Sequence, residues 1–228
     1  MCGIAGAISF IEDMRADMRV YERMQKALSR RGPDQKGIVM YPEAALIHTR
    51  LAVIDIADGR QPMTLNSGGR EYTIVYNGEL YNTDEIRDEL KDEGVFLTRS
   101  DTEVVLRAYM KWGERCTERF NGIFAFAVYD AAEHRVFLAR DRIGVKPLFY
   151  YEAADRLIFA SEIPALLEHP MIPHEIDCMG AAELMLIAPG RTPGCGVIRG
   201  VKEVKAGWQG FYCADGLRLY EYWHPHAH

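Results

Sequence analysis

The alternation of apolar and polar positions along this chain predicts many short strands. Apolar runs bounded by Gly, Pro, Asn and Asp are typical of strands that belong to a sheet. We expect strands at 2–10, 37–41, 44–48, 72–76, 123–129, 135–140, 146–151 and 157–160, and a closing hairpin of 207–213 and 217–222. Such regular strands predict that sheets form the centre of the fold.

Apolar residues spaced three or four positions apart predict helices between these strands. We expect helices at 17–29, 83–93, 100–113, 162–168 and 177–187, and a Pro- and Gly-rich loop at 188–200. Ser100 and Glu103 have the spacing of a capping box, in which each side chain bonds the backbone N–H of the other residue. Runs of strands interrupted by paired helices predict an α+β fold with stacked sheets and helices outside them.

Composition removes several classes of protein. The 228 residues are 48% hydrophobic and 26% charged, with a net charge of −6, which argues against a general nucleic-acid binder. Five cysteines are scattered without a C-x-x-C pair, so neither a disulfide framework nor a zinc site fits. The chain has no run of eighteen apolar residues and no secretory signal, so we expect a cytoplasmic protein without a membrane partner.

Cys2 is the first residue that suggests chemistry. Met1 precedes a small residue, a situation in which cells usually remove the methionine, and Cys2 would then carry a thiol and an α-amine. An α-amine has a pKa of about 7.7–8.0, so it can act near neutral pH as the base for its own thiol. Taken alone, Cys2 is more simply interpreted as a small apolar residue that has no catalytic role.

Several motifs extend this signal over nearly the whole chain. They are Met1-Cys-Gly-Ile-Ala-Gly6, Arg31-Gly-Pro-Asp34, His48-Thr-Arg-Leu51 and Asn77-Gly-Glu79. Together they resemble the class II glutamine amidotransferases, which belong to the N-terminal-nucleophile hydrolases. Further segments resemble the asparagine synthetase branch: 50–55, 61–63, 76–82, 100–103, 140–150 and 160–162. The resemblance implies a four-layer αββα sandwich with Cys2 at the end of an inner strand.

The resemblance also implies a role for each site residue. Cys2 would attack the glutamine carboxamide, and the Asn77 side chain with the Gly78 backbone N–H would stabilise the oxyanion. The remaining residues implied for glutamine binding are Arg50 for the α-carboxylate, Asp101 for the α-ammonium group, and Val53, Ile54 and Glu79 along the pocket. A guanidinium fork suits the carboxylate because it can bind both oxygens at once.

Two of these assignments have simpler interpretations. Asn77-Gly78 follows a predicted strand, and Asn-Gly is favoured in a hairpin turn. In either case Gly78 would allow close backbone approach and a positive φ. Asp101 lies in the first turn of a predicted helix, where the helix dipole stabilises a carboxylate without any ligand.

The resemblance implies hydrolysis of L-glutamine to glutamate and ammonia by a single domain, 1–228. The ammonia would pass to a C-terminal synthetase domain that is absent from this chain. ATP and Mg²⁺ are expected only in that domain, and no cofactor is expected here. Although His224, His226 and His228 alternate, no earlier residue completes a ligand set, so we expect no metal site.

Two other functions remain open at this point. A related amidotransferase would use the same glutaminase half to supply a domain that amidates an acceptor other than aspartate. A regulatory or scaffolding module would keep the fold without catalysis. The sequence also leaves the oligomeric state open, a homodimer included.

Overall fold

The computed structural model describes residues 1–52, 55 and 58–225. Its strands are β1 (Gly3–Ser9), β2 (Gln35–Met40), β3 (Ala44–Arg50), β4 (Met63–Ser67), β5 (Arg70–Leu80), β6 (Gly122–Asp130), β7 (Arg135–Arg140), β8 (Phe149–Glu152), β9 (Arg156–Ala160), β10 (Val201–Glu203), β11 (Trp208–Cys213) and β12 (Gly216–Glu221). Its helices are α1 (Met18–Ala27), α2 (Thr83–Glu89), α3 (Asp101–Trp112), α4 (Cys116–Arg119), α5 (Ile163–Leu167) and α6 (Cys178–Ala182).

The strands form two antiparallel sheets. Sheet A has the order β10-β8-β9-β1-β3-β2, and sheet B has the order β12-β11-β7-β6-β5-β4. β1 lies inside sheet A between β3 and β9, whereas β5 lies near one edge of sheet B between β6 and β4. Cys2 lies directly before β1, and the Asn-Gly motif lies within β5.

Alternation along the strands decides what each sheet face packs against. On β1, Ile4 and Ile8 face sheet B and pack with Val75 and other residues of that sheet. Ala5 and Ala7 face the opposite way, toward α1 and α5. The outer face of sheet B packs against α2 and α3 in a third buried cluster. The layers are therefore helix, sheet, sheet, helix, and the predicted αββα sandwich is confirmed.

The boundaries differ from the sequence prediction in informative places. The predicted strand at 146–151 begins only at Phe149, because the buried Asp141 carboxylate accepts the N–H groups of Val145 and Lys146 and holds that segment as a loop. The helix predicted at 177–187 is α-helical only to Ala182 and continues as a single π-helical segment, Glu183–Ile187. β4, β10 and α4 were missed because they are short and interrupted by polar residues.

Of the two hydrogen bonds predicted for the capping box, only the one accepted by Ser100 is formed. Ser100 caps α3 and accepts the N–H of Glu103 at 3.4 Å. The Glu103 carboxylate does not return to the Ser100 N–H. It accepts the N–H groups of Leu97 and Thr98 instead, and Arg107 one turn later also binds it. The glutamate therefore fixes the loop that enters the helix. No helix in the described part of the chain is long and apolar enough to cross a membrane.

Candidate active site

Strand register brings the predicted residues to one end of the space between the sheets. Gly3 pairs with Thr49, so continuing this register by one residue places Cys2 opposite Arg50. Cys2 and Arg50 are in phase with the inward-facing residues of sheet A, and Asn77 is in phase with those of sheet B. A pocket at this end is lined by Cys2, Arg50, Asn77, Gly78, Glu79 and Asp101, together with Met1 and others.

Arg31 holds the backbone of Cys2, and the Cys2 side chain lines the pocket. Arg31 donates from Nε to the Cys2 carbonyl at 2.8 Å and binds Glu162 through Nη1 at 2.8 Å. The thiol has one long contact, from Sγ to the Leu51 carbonyl at 3.7 Å. Burial raises the pKa of the Cys2 thiol, although the Arg50 guanidinium opposes this effect. The thiol therefore needs a base to become a nucleophile.

Asn77 presents an unused donor. Its side chain is 1% exposed, and Nδ2 has no hydrogen-bond partner among the described residues. Buried amide groups are nearly always bonded, and leaving one unpaired costs about 1–3 kcal/mol. An amide N–H held in this way is suited to an oxygen that arrives with the substrate.

Gly78 does not form a turn. Asn77 and Gly78 lie inside β5 and pair with Ala125 and Phe124 of β6, so the hairpin-turn interpretation is wrong. Gly78 does not adopt the positive φ that glycine allows. The expected close approach is correct, because a Cβ at this position would lie 2.6 Å from the Ile123 carbonyl oxygen and 2.7 Å from Tyr76 Oη.

The direction of the Gly78 N–H follows from its neighbours. Phe124 bonds Asp141 through both its N–H and its carbonyl, so its backbone groups point away from β5. Gly78 therefore belongs to a non-hydrogen-bonded pair, and its own backbone groups point to the opposite edge of β5. On that edge Gln61 binds Tyr76 and Asp101 binds the Leu80 N–H, and Gly78 lies between them. Its N–H therefore points toward the pocket.

The Arg50 side chain is held by hydrogen bonds from both of its terminal nitrogens, Nη1 and Nη2. Nη1 donates to Gln35 Oε1 at 2.8 Å, and Nη2 donates to the Asp55 carbonyl at 2.7 Å. Gly59 packs so closely that a Cβ there would lie 2.5 Å from Arg50 Nη2. The side chain is 4% exposed and lines the pocket. Its position is therefore determined by the protein before any ligand binds.

Asp101 reaches the pocket from the first turn of α3. Its Oδ2 accepts from Tyr76 Oη at 3.0 Å and from the Leu80 N–H at 3.3 Å. Burial raises the pKa of Asp101, and these two hydrogen bonds oppose the rise because they favour the charged form. A carboxylate with such contacts does more than complement the helix dipole, since it ties α3 to β5.

The structure describes only some of the remaining residues that the sequence analysis considered. Glu79 is exposed at the pocket rim, while Val53 and Ile54 lie outside the described residues, as do His226 and His228. His48 is buried behind the pocket, where it contacts the Tyr76 carbonyl. Burial lowers the pKa of His48 to about 3, so this imidazole is neutral at physiological pH.

Comparison with known proteins assigns the chain to a family. Residues 1–223 match the family model described as a glutamine amidotransferase domain. The chain belongs to this family. A curated relative, asparagine synthetase [glutamine-hydrolyzing] 3 from Bacillus subtilis, is 44% identical to this amidotransferase domain over 98% of the chain and 36% of that protein. Asparagine synthetase B from Escherichia coli is 34% identical over 73% of the chain and 30% of that protein. The chain thus spans about a third of each relative.

A solved structure supports the fold of the amidotransferase domain. The glutamine phosphoribosylpyrophosphate amidotransferase from B. subtilis superposes with a TM-score of 0.71 at 19% identity, over 97% of this chain and 49% of that one. This likeness shows that the two chains share a fold.

Sequence reasoning missed several pocket residues of the amidotransferase domain. They are Gly59, Gln61, Tyr76, Thr102 and Lys146, all of which line the pocket. Gln61, Tyr76 and Lys146 occur in the motifs that carried the resemblance, and this was the available signal. Among the residues that the structure describes, no cluster of three or more His, Cys, Asp or Glu side chains could hold a metal ion.

Proposed function

We propose that this domain hydrolyses L-glutamine to L-glutamate and ammonia with Cys2 as the nucleophile. The observation that carries the proposal is the meeting of a cysteine thiol and the unpartnered Nδ2 of Asn77 in one pocket. Membership of the glutamine amidotransferase family supports the substrate. The names of the curated relatives, which are glutamine-hydrolysing, support the reaction.

The first chemical step uses groups from both sheets. The Cys2 sulfur attacks the carboxamide carbon while the thiol proton passes to the α-amine of the same residue, directly or through one water. The carbonyl oxygen gains negative charge as its π bond opens. Asn77 Nδ2 and the Gly78 N–H donate to this oxygen, and each such donor is worth about 3 kcal/mol of barrier in comparable enzymes.

Collapse of the tetrahedral intermediate releases ammonia. The proton held by the α-amine moves to the departing nitrogen as the C–N bond breaks, which leaves a thioester on Cys2. Water then attacks this thioester with the same amine as base, and glutamate leaves. The donors at Asn77 and Gly78 serve both steps because an oxyanion forms in each.

The ends of the glutamine molecule would be held by opposite charges. Arg50 can bind the α-carboxylate, since its guanidinium is fixed by Gln35 and Asp55 at the pocket wall. Asp101 can bind the α-ammonium group, and Glu79 lies at the rim. Val53 and Ile54 remain predicted contributors to the same pocket.

We further propose that the ammonia is consumed by a synthetase portion like those of the curated relatives. The support is that this domain spans about a third of proteins named asparagine synthetase. ATP and Mg²⁺ would act in that portion, with aspartate as the acceptor. A related enzyme with another acceptor would share every residue described above.

The proposal is tested by measuring glutamate and ammonia from L-glutamine with the purified chain and with Cys2→Ser. We expect equal amounts of both products from the parent chain and a loss of at least a hundredfold in turnover for the variant. Isothermal titration should show that Cys2→Ser still binds glutamine. If the parent chain, confirmed by intact mass to begin at Cys2, binds glutamine without hydrolysing it, the domain is a binding module.

A further inference from the structure

Lys146 is a buried cation without an acidic partner. Its side chain lines the Cys2 pocket, and the residue is only 7% exposed. Among the described residues, the one polar contact of Nζ is with Met1 Sδ at 3.2 Å, and no carboxylate pairs with it. A thioether is a weak acceptor, whereas buried charges are usually paired. Removal of Met1 takes away even this contact.

The loop that carries Lys146 is built to hold it there. Asp141 is completely buried and accepts the N–H groups of Val145 and Lys146 at 2.9 Å each. Arg140 donates to the Lys146 carbonyl at 2.7 Å and to the Gly144 carbonyl at 2.9 Å. Buried charged groups on both sides therefore fix the backbone of Lys146, so its ammonium group is directed at the N-terminal segment by the fold.

Several other charged or titratable groups lie near the N-terminal segment. Arg31 binds the Cys2 carbonyl but is neutralised by Glu162. The remaining ionisable groups of the pocket are the cation Arg50, the acids Asp101 and Glu79, and Tyr76, whose pKa is raised well above its ordinary value by burial. His48 on β3, which contacts the Tyr76 carbonyl, is neutral. Lys146 is thus a second cation, in addition to Arg50, in a pocket with two acids.

We propose that the Lys146 ammonium group keeps the α-amine of Cys2 unprotonated near neutral pH, so that this amine can take the thiol proton. Lys146 is then a positioning residue that acts through the α-amine. The inference rests on the proposed function, because it assigns Lys146 to the proton transfer of that reaction. The physical basis is that a nearby cation disfavours a second positive charge.

The step needs a neutral amine. As the S–C bond forms, the lone pair of the α-amine accepts the thiol proton and the carbonyl π pair moves to oxygen. When the C–N bond breaks, the same proton leaves with the nitrogen as ammonia. An amine that is already protonated cannot begin this sequence, and burial raises the pKa of the Cys2 thiol and so disfavours its ionisation without a base.

The direct test follows the α-amine itself. In protein labelled with 15N-cysteine and confirmed by intact mass to begin at Cys2, the 15N shift of the α-nitrogen is titrated by NMR. We expect the midpoint to rise by about one pH unit in Lys146→Met and Lys146→Gln, and to stay unchanged in Lys146→Arg. The matched control is Lys26→Met, which removes an exposed lysine on α1. An unchanged midpoint in both neutral variants overturns the proposal.

Kinetics provide the second readout. In Lys146→Met, the pH below which kcat/KM for glutamine falls should rise by the same amount. Below that pH kcat/KM should be about tenfold lower than in the parent, and at high pH it should recover. A uniform loss at every pH would show a structural role and overturn the proposal. Because the NMR titration needs no turnover, its result stands even if the chain fails to hydrolyse glutamine.

Discussion

The side-chain amide of Gln61 pairs with the backbone of Tyr76 as a neighbouring strand would. Its Nε2 donates to the Tyr76 carbonyl at 3.1 Å, and its Oε1 accepts the Tyr76 N–H at 2.6 Å. The same Nε2 lies 3.0 Å from Thr102 Oγ1 in α3. β4 begins only at Met63, so the Gln61 side chain continues the edge of sheet B as far as Tyr76. Gly78, the next residue of β5 whose backbone faces this edge, is left open to the pocket.

Gln61→Glu tests whether this pairing positions the catalytic strand. A carboxylate has nearly the same shape but cannot donate to the Tyr76 carbonyl or to Thr102, so we expect kcat for glutamine to fall about tenfold, the value of roughly one hydrogen bond. Asn82→Asp is the matched control, because Asn82 Nδ2 also donates to a backbone carbonyl, that of Arg119, and Asn82 does not line the pocket. Both variants should lose thermal stability. If kcat falls no further in Gln61→Glu than in the control, Gln61 has only a structural role.

Asn77→Ala tests the oxyanion donor. We expect kcat to fall by about 10²–10³, with little change in KM, because the donor matters more to the oxyanion than to the ground-state carbonyl. The comparison variant is Asn66→Ala, on the exposed part of β4, which should behave like the parent. A variant at Asn77 that keeps kcat and raises KM would assign this amide to glutamine binding.

The motifs pointed to residues that line the pocket, whereas local turn propensity did not predict their backbone conformation. Asn77 and Gly78 line the pocket with Cys2, but the sequence favoured a hairpin turn at these two residues, and pairing with β6 overrides that preference. The Tyr76 ring on the same strand and the Ile123 carbonyl on β6 leave room only for glycine, and the contact with Ile123 joins distant parts of the chain. Pattern and propensity are local, so they contain no information about such contacts.

The same limit explains the missed side chains. Gln61 is a polar residue before a proline, and Lys146 was predicted within a strand, so neither could be assigned to the pocket from its neighbours alone. The position of Gln61 depends on the N–H that Tyr76 donates to it, and the position of Lys146 depends on the buried Asp141 carboxylate that accepts its N–H. By contrast, the layers were predictable, because apolar alternation is a direct consequence of two packed sheets.

Arg50→Lys tests the carboxylate clamp. Lysine keeps the charge but loses the planar fork that meets two carboxylate oxygens, so KM for glutamine should rise tenfold or more. Gln35→Leu serves as the control, since it removes the acceptor of Arg50 Nη1 and leaves the guanidinium itself. A small thiol reagent should still label Cys2 in both variants. An unchanged KM in Arg50→Lys would remove Arg50 from substrate binding.

Tyr76→Phe tests the charge on Asp101. Burial already raises the pKa of Asp101, and the Tyr76 hydroxyl opposes this by donating to the carboxylate. Loss of that donor raises the pKa further, and a carboxyl group with a higher pKa becomes neutral at a higher pH. KM for glutamine should therefore begin to rise, on acidification, about one pH unit earlier than in the parent. Tyr81→Phe, at an exposed position, should leave the KM profile in place. Identical profiles for Tyr76→Phe and the parent would argue against Asp101 as the ammonium ligand.

Retention of Met1 should abolish glutamine hydrolysis. With Met1 in place, the nitrogen of Cys2 is an amide and cannot accept a proton near neutral pH, so the thiol loses its base. Met1 also lines the pocket, 56% exposed, with its sulfur against Lys146, and so occupies space beside the nucleophile. Both effects act on the attack of Cys2 on the carboxamide, and neither requires any change in the fold.

The measurement compares chains that begin at Cys2 with chains carrying an uncleavable residue before it, each verified by intact mass. We expect turnover to fall at least a thousandfold in the extended chain, with the unfolding temperature nearly unchanged, because the sheets and cores form without Met1. Removal of the extension by a protease that leaves Cys2 first should restore the rate, which excludes a trapped misfolded form. Equal turnover in extended and trimmed chains would refute the N-terminal-nucleophile mechanism. The nucleophile would then have to be sought among the other cysteines, of which Cys116 is buried with a raised pKa and Cys178 is exposed.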